Sequence, residues 1–520
     1  MTGTDARVPA RRTGGRALVL TLGLGAVLVS FMQTVLVPVL GVVQHELNIS
    51  AGHASWLSTA TLLAAAATTP AMSRLGDQYG ARPALVAVLG LTLAGSVIGA
   101  CAGSFPALVV ARALQGTSTA VFPLAQSVLR EEAPAERLPA AMGLVSGMLA
   151  FGNGIALVGA GLLTRGSNPG HQAVFWLATA LTALTLVAVL VTVPRPRSVP
   201  GGRADWLGSL TLAAGLVLLL LPLSRGPVWG WGSSTTLGCL AGALVLGALW
   251  TGVERRVPQP MVDLGMLLRR PVLLANIAGL LLGYAMFSQF IGVSALAQVA
   301  PRVAGYGFGA SVLQTCILFL LPAAMVSLFA GQLTGLVVRA LGAGGTLAVG
   351  GASGLAGFTV LALAHERMWS VIAGTLFVGV AIGFGFAGLP AALLRAVAPE
   401  RTGIANGMNS IARSIGSSIA SASVVVLLTS EPASAGTTGA PAESRFVLAF
   451  VLAAVAFGLI SMIGLTGLRA GQDRRARISP RNGASRRSQR PAPGSDQRPA
   501  GHQSCPLLPC AKELPCVPSR

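Results

Sequence analysis

Fourteen stretches of this chain are apolar over the roughly twenty residues that a helix needs to cross a bilayer. They run over 17–43, 54–73, 83–103, 105–129, 138–163, 172–193, 205–224, 235–253, 272–299, 309–338, 345–364, 369–394, 403–429 and 446–467. No water-soluble core buries so many continuous apolar runs, so the pattern predicts an all-α polytopic membrane protein. Several runs are longer than a simple crossing needs, which implies tilt or helix beyond the bilayer. Only 10% of the residues are charged, against about 25% in a soluble domain. The 66 glycines fit the same solvent, because helices in lipid associate through small side chains.

The formal charge of +20 invites a nucleic-acid reading, and its distribution removes it. With the N-terminus in the cytoplasm, 29 of the 36 basic residues fall in inner segments, 11 of them in the C-terminal tail. Five fall outside (Arg165, Arg225, Arg302, Arg367 and Arg445), while Arg112 and Arg413 lie inside apolar runs. This is the positive-inside asymmetry. Tryptophans 56, 176, 206, 229, 231, 250 and 369 all fall at or near run ends, as an interfacial belt does. The first run is too long for a cleaved signal peptide and reads as a helix. The five histidines (45, 53, 171, 365 and 502) read as loop or tail residues, so no metal site is expected. Cys101, Cys239 and Cys316 in apolar runs, with Cys505, Cys510 and Cys516 in the tail, form no disulfide framework.

The chain also repeats itself. Shifting by 264 residues superposes Glu136-Arg137 on Glu400-Arg401. Ala141, Gly143, Ser146, Gly152, Ile155 and Ala156 then fall on Ala405, Gly407, Ser410, Gly416, Ile419 and Ala420. The expected organisation is a cytoplasmic N-terminus (1–16), a six-helix bundle (17–193) and two inserted helices (205–253). A cytoplasmic loop (254–271), a second six-helix bundle (272–467) and a disordered basic tail (468–520) follow. Duplicated six-helix halves around a midplane site are a transporter architecture.

Between the second and third runs lies Ser73-Arg-Leu-Gly-Asp77-Gln-Tyr-Gly80-Ala-Arg82. Gly80 can take the left-handed backbone that closes a helix, and Arg82 can fold back on carbonyls or on Asp77. The stretch resembles the loop between helices 2 and 3 of the major facilitator superfamily, with Ser73 in place of a glycine. The 6+2+6 arrangement is similar to that of the superfamily's fourteen-helix drug:proton antiporters, the multidrug and antibiotic exporters, over about residues 17–467.

Arg112 heads a polar stripe with Gln115, Thr119 and Gln126 at helical spacing. A charge in the bilayer costs about 2.5–3.5 kcal/mol on insertion scales, so it needs a wet cavity or a partner. Its R-x-x-Q-G setting resembles the superfamily's helix 4 motif, which implies proton coupling. Gln33 stands where that family carries an aspartate, and Pro38 where an asparagine is common. Gly152, Asn153, Gly154 and Gly159 resemble the antiporters' helix 5 glycine motif, with Ile155 in place of its proline; tight packing alone also accounts for these glycines. Arg413 lies about 15 Å from the inner end of its run at 1.5 Å per residue, with Asn406 and Ser410 on its side. It is read either as a substrate contact or as an interhelical clamp. Met32, Gln289 and Phe290 offer further polarisable, amide and aromatic surface.

None of the sixteen acidic residues lies deep in an apolar run. Two arginines without a carboxylate predict preference for neutral, zwitterionic or anionic molecules over permanent cations. Asp77 is either a latch between halves or the proton carrier. The expected activity is export of amphipathic molecules across the plasma membrane by proton antiport, with both termini cytoplasmic. Small molecule, protons and lipid are the partners, with no cofactor, metal or nucleic acid, and the chain is expected to act as a monomer. Uptake of a metabolite is the alternative. An embedded enzyme lacks its acids and bases, the single lysine being Lys512 in the tail. Topology reporters fused after Gly170 and Ser198 are expected to report opposite faces of the membrane; reports from one face contradict the reading.

Overall fold

The computed structural model describes residues 15–36, 40–49, 51–134, 136–163, 171–195, 206–257, 262–398, 401–429 and 441–468. The expected N-terminal segment and basic tail, with Cys505, Cys510 and Cys516, lie outside them. The described chain is helical throughout, and eleven of its helices are long and apolar enough to cross a membrane. Among these are Gly15–Thr34, Ala81–Cys101, His171–Thr192, Ser234–Glu254, Arg270–Gln298 and Met368–Ala396. Ala51–Tyr79 and Leu138–Leu163 are further helices of 29 and 26 residues packed into the same bundle.

Chain breakers account for the differences from the apolar runs. The first run was expected to be helical to residue 43. Its helix ends at Thr34, and a separate short helix, Leu40–Glu46, follows. Pro38 lies outside the described residues; a proline has no N–H to continue a helix. The run from 309 begins as helix at Val312 and passes through a π stretch, Cys316–Leu320, before continuing. Pro322 supplies no N–H there, and the wider turn absorbs the loss. Three histidines read as loop residues lie in helices: His45 in 40–46, His53 in 51–79, and His171 at the first position of 171–192.

Two tight corners rest on glycine. Gly80 (φ 95) separates Ala51–Tyr79 from Ala81–Cys101, and Gly342 (φ 74) interrupts Leu321–Leu363. Side chains with a Cβ rarely adopt either conformation, so each reversal requires glycine. The two glycines occupy similar places in the two repeats.

Packing across the bundle is by backbone approach. A Cβ on Gly143 would lie 2.2 Å from the Gly331 carbonyl oxygen, and one on Gly407 would lie 2.8 Å from Ser73 Oγ. These contacts join helix 138–163 to the segment after 321, and helix 402–429 to helix 51–79. The repeat partners Gly152 and Gly416 behave alike: their Cβ positions fall 2.8 Å from Val27 Cα and 1.9 Å from the Leu280 carbonyl oxygen. Trp206–Trp229 packs against both 51–79 and 402–429, while Ser234–Glu254 leans on it. At its end, the Arg225 guanidinium lies 4.7 Å from the Trp56 ring centre.

Gly143→Val forces a side chain into the Gly331 carbonyl, and overpacking of this kind costs about 1–3 kcal/mol. Gly159 has nothing within 4 Å of its Cβ position. The detergent-purified Gly143→Val variant is expected to melt several degrees below wild type and Gly159→Val close to it. Equal melting temperatures contradict the packing described.

Candidate functional site: a central cavity and its inner closure

A cavity of about 600 Å³, its open mouth included, lies between the N-terminal helices and those after residue 270. Ser30 and Gln33, Thr61, Thr119 and Asn153 reach it from the N-terminal side. Met286, Phe386, Ser410 and Arg413 reach it from the other, with Ser414 and Ser417 beyond Arg413 on the same helix. An adjoining, smaller space shares Asn153 and Met286 and is lined by Gln289 and Phe290. No carboxylate is among the residues lining either space.

The polar stripe from Arg112 does not stay on one face. Within the span Phe105–Glu132, residues Thr117–Ala120 form a 3₁₀ turn. Four residues at about 120° rather than about 100° rotate the following face by roughly 80°. Thr119 therefore lines the cavity, where it accepts a hydrogen bond from Gln33 Nε2 at 3.4 Å. Gln126 is buried away from it and donates to Ser146 Oγ at 3.4 Å.

Arg112, 1% exposed, also lies behind the cavity wall. Its Nη1 donates to Gln115 Oε1 at 2.8 Å and its Nη2 to the Met32 carbonyl at 2.9 Å. That carbonyl belongs to the last turn before the helix ends at Thr34, where intrahelical partners run out. Gln115 Nε2 passes the chain on to Ser96 Oγ at 3.0 Å. The Met32 side chain is fully buried and does not line the cavity. Its backbone oxygen is the group Arg112 uses.

Arg413 is placed differently. Its Nη2 donates to Ser410 Oγ at 2.9 Å, and its guanidinium sits 4.8 Å from the Phe386 ring centre and 5.7 Å from that of Phe122. The two rings meet edge to face at 6.3 Å and come from opposite ends of the chain. The aromatic faces offer partial negative charge to the cation. Asn406 is buried outside both spaces, its Nδ2 without a partner among the described residues. Sequence reading missed Ser30, Phe122 and Phe386; apolar aromatic residues in long apolar runs carry no local mark of a cavity.

The end of the bundle that carries Asp77, expected to face the cytoplasm, is tied shut. Asp77 Oδ1 accepts from the Gly403 N–H at 3.2 Å and Oδ2 from the Ile404 N–H at 2.9 Å. These are orphan donors of the first turn of Thr402–Thr429, where the helix dipole also favours a carboxylate. Gly403 lets Asp77 approach, since a Cβ there would lie 2.2 Å from Oδ1. Arg82 turns away from Asp77 and donates to the Leu190 carbonyl at 2.7 Å. A second tie joins the Arg339 guanidinium to the Glu136 carbonyl. Nearby, Arg401 pairs with Asp263. Burial alone would raise the Asp263 carboxyl; Arg401 and the Met266 N–H outweigh it and hold the group below its ordinary range.

Hydrogen bonds to a charged group are worth about 1.5–3 kcal/mol, so Asp77→Ala should loosen this end. In a cysteine-free background carrying Ser410→Cys, labelling by an impermeant maleimide from the cytoplasmic face is expected to speed up about tenfold, at 1.4 kcal/mol per factor of ten. Unchanged labelling rejects the tie as a closure.

Residues 22–421 match the family model described as Major Facilitator Superfamily. The chain is 28% identical over 437 residues to the tetracenomycin C resistance and export protein of Streptomyces glaucescens, covering 82% of this chain and 78% of that protein. It is 29% identical over 439 residues to the cephamycin export protein CmcT of Amycolatopsis lactamdurans, covering 82% and 87%. The fold matches that of the human organic anion transporter MFSD10 with a TM-score of 0.60 at 14% identity, over 86% of this chain and 99% of that one. The chain is therefore a multi-pass membrane transporter and belongs to the major facilitator superfamily.

Proposed function

We propose that this transporter exports neutral, zwitterionic or anionic amphipathic molecules, antibiotics among them, from the cytoplasm across the plasma membrane. The observation that carries the substrate preference is the cavity wall: one guanidinium, Arg413, with hydroxyls and amides around it and no carboxylate. A permanent cation in that space would face a like charge with no counter-charge. The export direction rests on the tetracenomycin and cephamycin exporters among its relatives.

In this reading the chain crosses the membrane fourteen times as 6+2+6, with both termini cytoplasmic, and works as a monomer. Support for the count comes from the break at Gly342, which divides Leu321–Leu363 into two pieces of crossing length, and from the additional helices 51–79 and 138–163. The two six-helix bundles rock about the cavity between them. Asp77 and Arg339 hold the inner end closed in one state and release it in the other.

Proton antiport supplies the energy, and Arg112, Gln115 and Gln33 are the proposed coupling region. They surround the free end of the 15–34 helix, so a change in that hydrogen-bond chain bears directly on a cavity-lining helix. Gly143, Gly147 and Gly154, which face Gly331, Leu328 and Ala324, give helix 138–163 the smooth surface on which the second bundle moves.

Inverted vesicles with an imposed pH gradient test this. An acidic interior is expected to drive accumulation of amphipathic carboxylates, while ethidium is not accumulated. Arg413→Ala is expected to lower carboxylate transport at least tenfold. Ethidium accumulation by the wild-type protein rejects the charge-based preference.

A further inference from the structure

The side space next to the main cavity collects polar groups with nothing to bond. Gln289 is 1% exposed, and its Oε1 has no hydrogen-bond partner among the described residues. Ser327 is likewise 1% exposed, and its Oγ is unpartnered. Serine and threonine inside a helix commonly bond the carbonyl four residues back, as Thr334 does on the same segment, to Ala330 at 3.0 Å. Ser327 does not. Both side chains line this side space, as does Asn153, so three helices converge there.

Leaving a buried acceptor unpaired costs about 1–3 kcal/mol. Two such groups lining one space, and otherwise walled by Met286, Phe290 and Leu320, mark a place shaped for a polar guest. The room has a local cause. Leu320 closes the π stretch Cys316–Leu320, whose wider turn shifts the side chains that follow, and such bulges recur at functional positions.

We propose that this space is a hydrogen-bonding subsite for the uncharged, hydroxyl- or N–H-bearing end of a substrate whose acidic end lies at Arg413. Asn153 and Met286 border both spaces, so one ligand can occupy them together. Gln289 Oε1 accepts from the ligand's O–H, and Ser327 and Asn153 complete its hydrogen bonds. Arg413 provides the charged end, where the hydroxyls of Ser410 and Ser414 accompany it. The preferred substrates are then elongated aromatic acids carrying a phenol or amide far from the acid group. This deepens the exporter reading and rests on its assignment of the cavity to substrate.

The test uses the full-length protein in nanodiscs and two fluorescent probes, 6-hydroxy-2-naphthoate and 6-methoxy-2-naphthoate. They share the acid and the ring and differ in the donor at the far end. Wild type is expected to bind the hydroxy compound about tenfold more tightly. Gln289→Leu and, as the gentler change, Ser327→Ala are expected to bring that ratio to about one. Arg413→Gln is expected to weaken both probes and leave the ratio near its wild-type value. A wild-type ratio near one, or a tenfold ratio that persists in both chamber variants, overturns the proposal and leaves the space as a water pocket. Flux of the methoxy compound in vesicles is measured alongside. If it is exported while the ratio is one, the subsite fails and the exporter reading stands; if neither compound moves or binds, the cavity assignment fails with it.

Discussion

Helices dissolved in lipid gain nothing by hiding apolar side chains from one another, because the surrounding solvent is as apolar as they are. What holds them is contact at close range, and here glycines supply it, against a backbone carbonyl or a small side chain. Gly143 meets the Gly331 carbonyl, and Gly407 meets Ser73. These two contacts sit at repeat-related positions and bring the two ends of the chain together around the cavity. Any account of how the cavity opens has to separate or slide these surfaces. A glycine interface suits such motion because it has no side chains to unlock.

The second demand of the bilayer is that every charge be solvated by protein. Two arginines solve it differently. Arg112 is enclosed by an amide and by a carbonyl released at a helix end, so it ties helix 105–116 to helix 15–34. Arg413 rests on two aromatic faces and a hydroxyl and stays open to the cavity. The first arrangement ties both terminal nitrogens to protein groups and leaves Nε without a partner among the described residues. The second leaves guanidinium donors for a guest, which is why the substrate preference is argued from Arg413.

Repetition in this chain is geometric more than chemical. Gly80 and Gly342 turn equivalent corners, and the inner end is closed twice, near equivalent loops. Yet one closure is a carboxylate on helix N–H groups and the other a guanidinium on a carbonyl. The two ties therefore differ in charge, although they lie near equivalent loops.

The solvent, the helical class, the repeat and the loop around Asp77 were all legible in the order of the residues. Each of these is written in local composition or spacing, and hydrophobic length is a property of contiguous residues. The same order marked Arg112, Arg413, Thr119 and Gln289, since polar groups in apolar runs stand out. Which of them share a space depended on how the helices pack. One 3₁₀ turn at 117–120 sent Thr119 to the cavity and Gln126 away from it, and the helix end at Thr34 gave Arg112 its carbonyl partner. Phe122, Phe386 and Ser327 entered the site unannounced, because an apolar ring or a serine in a helix acquires its role from what packs opposite, and that neighbour lies hundreds of residues away in the chain.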